Sequence, residues 1–244
     1  MGNVRIGTAG WALPAQHRHN FPTDGSSLGR YSARLNAAEI NSSFHRPHRR
    51  ATYERWAAET PDDFRFSAKL PKSVTHEKRL VDCDEPLASF IDEVSGLGGK
   101  LAILLVQLPP KLAFEPAVAE AFLAGLSTAT PARIACEPRH PSWFEGPAND
   151  MLAGLRIARV VADPVLVEGG NVPGGAGDLA YFRLHGAPRV YFSRYESERL
   201  HHFATAIGAA LAENRETWCI FDNTAGSHAA GDALALRALF DREP

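Results

Sequence analysis

The chain has 244 residues, of which 45% are hydrophobic and 22% charged, a size and balance suited to one α/β barrel with a substantial core. Its formal net charge of −2 excludes a global electrostatic pull toward nucleic acid or an anionic membrane, so any positive field must be local. Three cysteines (Cys83, Cys136, Cys219) lack the even count and spacing of a disulfide framework or zinc site, Met1–Gly7 carries no apolar leader, and no run approaches about 20 apolar residues; a cytoplasmic protein is expected.

Eight short apolar runs are predicted as buried strands: Val4–Gly7, Ala37–Ile40, Phe64–Ala68, Leu101–Val106, Arg133–Cys136, Arg159–Ala162, Leu179–Leu184 and Thr217–Phe221. The fourth, Leu101-Ala102-Ile103-Leu104-Leu105-Val106, is apolar throughout rather than alternating, as in a parallel sheet covered on both faces. Helices are expected between the runs, over Thr52–Glu59, at the spacing of Leu87, Phe90, Ile91, Val94 and Leu97, over Pro116–Leu126, at Leu200, Phe203, Ile207 and Leu211, and over Ala229–Phe240. From Asp163 to Leu179 the chain offers turn residues and no helical period, so the sixth crossover is predicted as a loop. No linker or repeat interrupts the alternation. The expectation is a single domain over 1–244 with a (β/α)8 TIM-barrel fold, an open doubly wound sheet being the alternative.

In such a barrel the residues that follow each strand converge on one rim, where catalytic groups gather. The rim candidates in chain order are Thr8, Gly10 and Trp11; Glu39, Asn41 and Ser43; Lys69; Gln107; Glu137, Arg139 and His140; Asp163; Arg183 and His185; Asp222 and Asn223. Glu39 and Glu137 stand in apolar contexts and suit general acid and base, or else pair with Arg139, Arg183 or Lys69. The run Glu137-Pro138-Arg139-His140-Pro141-Ser142-Trp143 presents an acid, a guanidinium, an imidazole and an indole on a proline-stiffened loop, or is a capped surface turn. Lys69 reads as an anion anchor or, if desolvated, as a Schiff-base nucleophile. The segment Pro71–Arg79 is long for a βα loop and reads as part of a lid or as a solvated loop. Arg183 and His185 share one side of a strand, with Tyr191 nearby. The Gly226-Ser227-His228 turn offers backbone N–H groups to an anion, and Trp11 and Trp143 form a stacking wall or core packing. His17, His19, His45, His48, His201 and His202 show no metal-site spacing, and GxGxxG, Walker A and GxSxG motifs are missing.

Several of these motifs occur together in an ordered set. They are Ile6-Gly7-Thr8-Ala9-Gly10-Trp11, Glu39-Ile40-Asn41-Ser42-Ser43-Phe44, Lys69-Leu70-Pro71 with Thr75-His76, Gln107-Leu108-Pro109-Pro110, Glu137-Pro138-Arg139-His140 with Ser142-Trp143, and Arg183-Leu184-His185-Gly186. This set resembles the YecE-like family, known as domain of unknown function 72. The resemblance runs from near the first residue to Asp222-Asn223 and implies a TIM barrel, with no settled activity, substrate or cofactor to carry over.

Three functions follow from the rim. The first is an enzyme, a hydrolase or isomerase, in which Glu39 or Glu137 works with His140 or His185 in proton transfer. Lys69, Arg139 and Arg183 then hold a small anionic or polyhydroxylated substrate, with Trp11, Asn41, Gln107, Trp143, Asp222 and Asn223 completing the site. The second makes Glu39, Glu137, His140, Asp163 and His185 ligands of one or two divalent ions, in a phosphodiesterase or sugar isomerase; no other cofactor is required by the sequence. The third is a non-catalytic nucleic-acid- or partner-binding protein, which the near-neutral charge disfavours. The largest pocket is expected beside Lys69, Glu137 and Arg183.

Overall fold

The apolar runs become parallel strands because helices cover their outer face and other strands' side chains cover their inner one. A computed structural model describes residues 4–241, so the first three residues of the predicted leader-free start lie outside the described range. In chain order the main strands are β1 (Arg5–Ala9), β2 (Ala37–Ile40), β3 (Arg65–Lys69), β4 (Leu101–Gln107), β5 (Arg133–Glu137), β6 (Ala158–Arg159), β7 (Val161–Asp163), β8 (Gly174–Gly175), β9 (Leu179–Leu184) and β10 (Glu216–Phe221). β1 to β6 pair in sequence and in parallel, and β10 pairs with both β1 and β9. β6 and β7 form one run of chain interrupted at Val160, pairing with β5 and β9 respectively, and so closing the sheet into an eight-stave barrel. The expected TIM barrel is the observed fold, and the open sheet is not.

The helices α1 (Ser27–Ser32), α2 (Arg50–Ala58), α3 (Asp84–Val94), α4 (Pro116–Ala129), α5 (Gly146–Gly154), α6 (Ser197–Ala212) and α7 (Ala229–Phe240) ring the barrel. Pro116 opens α4 at a position whose N–H has no partner in a helix, and Asp84 and Glu85 sit favourably at the positive end of α3. α1 and α5 were not expected, because six and nine residues rich in Ser, Gly, Ala and Asn carry no readable helical period. The sixth crossover contains no helix: the chain returns over the barrel as a glycine-rich strap whose β8 pairs antiparallel with β6.

Side-chain alternation along each strand divides the core in two. One cluster, Ala37, Ile103, Leu105, Ala135, Ala158, Val160, Leu179, Tyr181, Trp218 and Ile220, fills the barrel, while the larger cluster lies between barrel and helices. The interior is tight at β1: a Cβ on Gly7 would stand 2.0 Å from the Ala37 carbonyl oxygen, so only glycine lets these strands approach. Continuing the inward parity to the strand ends places Glu39, Lys69, Gln107, Glu137, Arg183 and Asp222 at the C-terminal mouth.

Candidate active site at the barrel mouth

Arg183 is the hub of the mouth and is fully buried. Its Nε donates to both Glu39 carboxylate oxygens, at 3.2 and 3.0 Å, and its Nη2 to Glu39 Oε1 at 2.7 Å. Nη1 reaches Glu137 Oε2 at 3.0 Å, and Nη2 also pairs with Asp222 Oδ2 at 2.8 Å. Tyr181, two residues before Arg183 on the same face, donates its hydroxyl to Glu39 Oε2 at 3.0 Å and accepts from Ser67 at 2.8 Å. Glu39 is therefore the counter-ion of Arg183 and has no oxygen free for proton transfer, which corrects its assignment as acid or base. Tyr181 and Ser67 were missed as site residues, although the period of two that links 181, 183 and 185 was available to find Tyr181.

Glu137 binds three cationic side chains. Its Oε1 accepts from Arg139 Nη2 at 3.0 Å and from His185 Nε2 at 3.2 Å, and its Oε2 accepts from Arg183. Burial pushes its carboxyl up, but Arg183 and His185 outweigh that and hold it well below the usual range. It stays ionised, as does Asp222, whose burial is outweighed by Arg183 and by the His185 hydrogen bond. His185 lies between them, with Nδ1 3.1 Å from Asp222 and Nε2 3.2 Å from Glu137. Two carboxylates facing two ring nitrogens require both nitrogens to carry protons, so the ring is an imidazolium. Burial opposes this, but Glu137 and Asp222 raise its pKa above the usual value. Tyr191 stands edge-on to His185, the ring centroids 5.6 Å apart. Its backbone is left-handed (φ 68°), held by its N–H on the His185 carbonyl at 2.6 Å and by its own carbonyl on the Gly226 N–H.

Three carboxylates, those of Glu39, Glu137 and Asp222, are thus balanced by Arg183, Arg139 and the His185 imidazolium. Lys69 is the surplus cation. It is only 6% exposed, its Nζ lies over the Phe44 ring at 4.0 Å, and it makes no salt bridge among the described residues. Burial and Arg183 lower its pKa to about 8, against the partial support of Glu39, Glu137 and Asp222. Burial, then Lys69 and Arg139, lower the pKa of His76, which stands edge-on to Phe44. Gln107 is buried beside this group without a side-chain hydrogen bond, and Asn41 leaves its buried Oδ1 unpartnered.

Other sequence candidates are not brought into the cluster. Asp163 and Asn223 have the opposite strand parity: Asp163 takes Tyr195 at 2.8 Å and Arg199, and Asn223 braces Ser193 and Asp232. Thr8 likewise turns outward to Tyr31. His140 caps the turn Pro141–Phe144 through Nδ1, which lies 2.9 Å from the Ser142 hydroxyl. Trp143 is core, 1% exposed, with its indole N–H on the Leu112 carbonyl and its ring against Phe114; Trp11 packs edge-on against Trp56. The stacking wall is accordingly not built. The N–H groups of Gly226, Ser227 and His228 all bond within the fold, leaving none for an anion. The Pro71–Arg79 segment is a π-helical turn over Ser73–Glu77, with Val74 and Thr75 buried, rather than a loose lid. Its lysines are tethered, Lys72 to Glu77 and Lys78 to the Asp82 carbonyl.

The expected large pocket is not at the mouth. The largest cavity described, about 930 Å3, lies outside the barrel between α3 and α4, and none of the cavities described is lined by Lys69, Glu137 or Arg183. The mouth is filled by charged side chains bonded to one another, so what it admits is small. The divalent-metal set does not fit either. Asp163 and His140 point elsewhere, the Arg183 guanidinium sits between Glu39 and Glu137, and among the described residues no group of three or more potential ligands is placed to hold a metal ion.

A curated relative, UPF0759 protein YecE of Escherichia coli (strain K12), is 29% identical over 166 residues, 66% of this chain and 59% of that protein. Among solved structures, a DUF72 family protein from Enterococcus faecalis V583 superposes with a TM-score of 0.83 at 19% identity, covering 99% of this chain and 97% of that one. A sugar phosphate isomerase/epimerase from Parabacteroides distasonis ATCC 8503 shares the fold at a TM-score of 0.61 and 12% identity, covering 100% and 98%. The family described as "Protein of unknown function DUF72" matches residues 5–244, and the chain belongs to that family.

Proposed function

We propose that the barrel mouth is the active site of an enzyme, a hydrolase or isomerase, acting on a small anionic or polyhydroxylated molecule. The observation that carries this reading is Lys69, a buried cation left over after every neighbouring carboxylate has been matched. An unpaired buried charge is costly, and a ligand anion is the partner that relieves it. Arg139, half-buried and held by Glu137, stands with Lys69 on the ligand side. His185 is the proton donor, since its ring lies between Glu137 and Asp222 with a proton facing each carboxylate. It acts when substrate replaces Glu137 on Nε2. Glu39, Glu137 and Asp222 act through Arg183 and His185 as positioning residues. Three buried, unpaired cysteines suit a cytoplasmic, reducing location; among the described residues no helix is long and apolar enough to cross a membrane.

Thermal unfolding with inorganic phosphate, sugar phosphates and 2-oxo acids tests the reading. A ligand at a hundred times its Kd adds about 2.7 kcal/mol of stability. At least one of these anions should raise Tm saturably in the wild type, and the response should be lost in Lys69→Met. If no anion raises Tm, or the Lys69→Met protein responds as the wild type does, the reading fails.

A further inference from the structure

We infer that Lys69 is a covalent nucleophile, and that the substrate is a small carbonyl compound carrying an anionic group, which Lys69 captures as an imine while Arg139 holds the anion. The inference rests on the active-site reading above and narrows it.

The geometry separates Lys69 from the chain's other four lysines. Those are Lys72, Lys78, Lys100 and Lys111. Lys72 is paired with Glu77, Lys78 donates to the Asp82 carbonyl, and Lys100 to the Ala57 and Thr60 carbonyls, all as ammonium groups with acceptors, and Lys111 is exposed to solvent. Lys69 has three carboxylates in its electrostatic surroundings, yet each is already bonded to Arg183, and none comes close enough to form an ion pair with it. Lys69 is stripped of water, repelled by Arg183 and without a carboxylate or carbonyl acceptor, and these outweigh the attraction of the Phe44 ring for an ammonium, the setting that favours a free amine.

In the reaction the Nζ lone pair forms a bond to the carbonyl carbon, and the C=O π pair moves to oxygen. One amine hydrogen and one proton from an acid then leave with that oxygen as water, giving a protonated imine. The acid is the His185 imidazolium, the proton donor of the active-site reading, or solvent. The protonated imine carries the same positive charge as the ammonium, so the surrounding carboxylates stabilise it as they do Lys69 itself. The bound anion, on Arg139, sits where the cluster is short of negative charge.

Competitive labelling of the intact protein tests this. Limiting glyoxylate and sodium cyanoborohydride are supplied at pH 7.5, and sites are read by intact mass and peptide mapping. Lys69 should be labelled before any other lysine despite being the most buried by the active-site roof, and its rate should rise with a midpoint near 8 rather than about 10.4. Lys69→Arg should abolish the first adduct. Labelling confined to Lys72, Lys78, Lys100, Lys111 or the N-terminal amine, or a Lys69 midpoint above 10, overturns the inference. If phosphate still raises Tm in that case, the active-site reading stands; if it does not, both fall.

Discussion

Replacing Arg183 by methionine removes the cation that three buried carboxylates share. In the fold Arg183 contacts Glu39 at 2.7 Å, Glu137 at 3.0 Å and Asp222 at 2.8 Å, and no side chain in the group is more than 5% exposed. Removing one partner of a buried ion pair costs about 3–5 kcal/mol because the other charge is left stranded. Glu137 and Asp222 would keep His185, and Glu137 would keep Arg139, but Glu39 would keep only the Tyr181 hydroxyl. The upper end, about 5 kcal/mol, is therefore expected. For a chain of this length that is a fall in Tm of roughly 10–20 °C. Adding Glu39→Gln to Arg183→Met removes the stranded carboxylate and should restore about 2 kcal/mol or more. Urea unfolding of the four proteins of this cycle at pH 7 measures both quantities. The deficit should shrink on acidification, because stranded carboxylates take up protons in the fold. A cost below about 1 kcal/mol, the size of an ordinary substitution, or no recovery with Glu39→Gln, would refute the shared-cation reasoning.

Four further outcomes are expected. Glu137 and Asp222 titrate in the fold below their ordinary values of 4.5 and 3.8, so their stabilisation is complete above those values and is lost as pH falls through the folded ones. His185 titrates above 6.5, so its contribution is complete below 6.5 and lost as pH rises through the folded value; His185→Asn should abolish this alkaline limb in urea midpoints taken from pH 5 to 9, and parallel curves would show that the imidazolium is not in place. Lys69→Met should leave stability at pH 7 unchanged or raise it by up to about 3 kcal/mol, since the penalty on a buried unpaired ammonium disappears; a loss of stability in urea would mean that Lys69 has a structural partner. Gly7→Ala drives a methyl against the Ala37 carbonyl and should cost about 3 kcal/mol or more, read as a fall in Tm, whereas a neutral result would mean that β1 and β2 can separate.

The barrel was legible because unbroken apolar runs such as Leu101–Val106 separated by helical spacing admit few other folds, and the strap that replaces a sixth helix was legible from its glycines and prolines. The ends of β3, β4 and β5 were set one residue too early, before Lys69, Gln107 and Glu137. A polar residue after an apolar run looks like the start of a loop, but in a barrel it is the last inward position of the strand. The same parity explains the candidate site. Glu39, Lys69, Glu137, Arg183, His185 and Asp222 were all found in the sequence as strand-end polar groups and do meet. Asp163 and Asn223 were included because nearness to a strand end does not reveal which face a residue takes. Trp143 and His140 were misread because a short proline-flanked loop can bury its indole and spend its imidazole on its own turn. Pair assignments, above all that Glu39 belongs to Arg183, depend on which strands face one another across the barrel. No local pattern encodes that.

The most direct test of the proposed active site is a crystal structure of the protein with pyruvate or phosphate bound. Electron density for the anion is predicted at the mouth, in contact with Lys69 and Arg139, with Arg183 still bound to Glu39. An ordered anion or metabolite in the groove between α3 and α4, with only water beside Lys69, would contradict it.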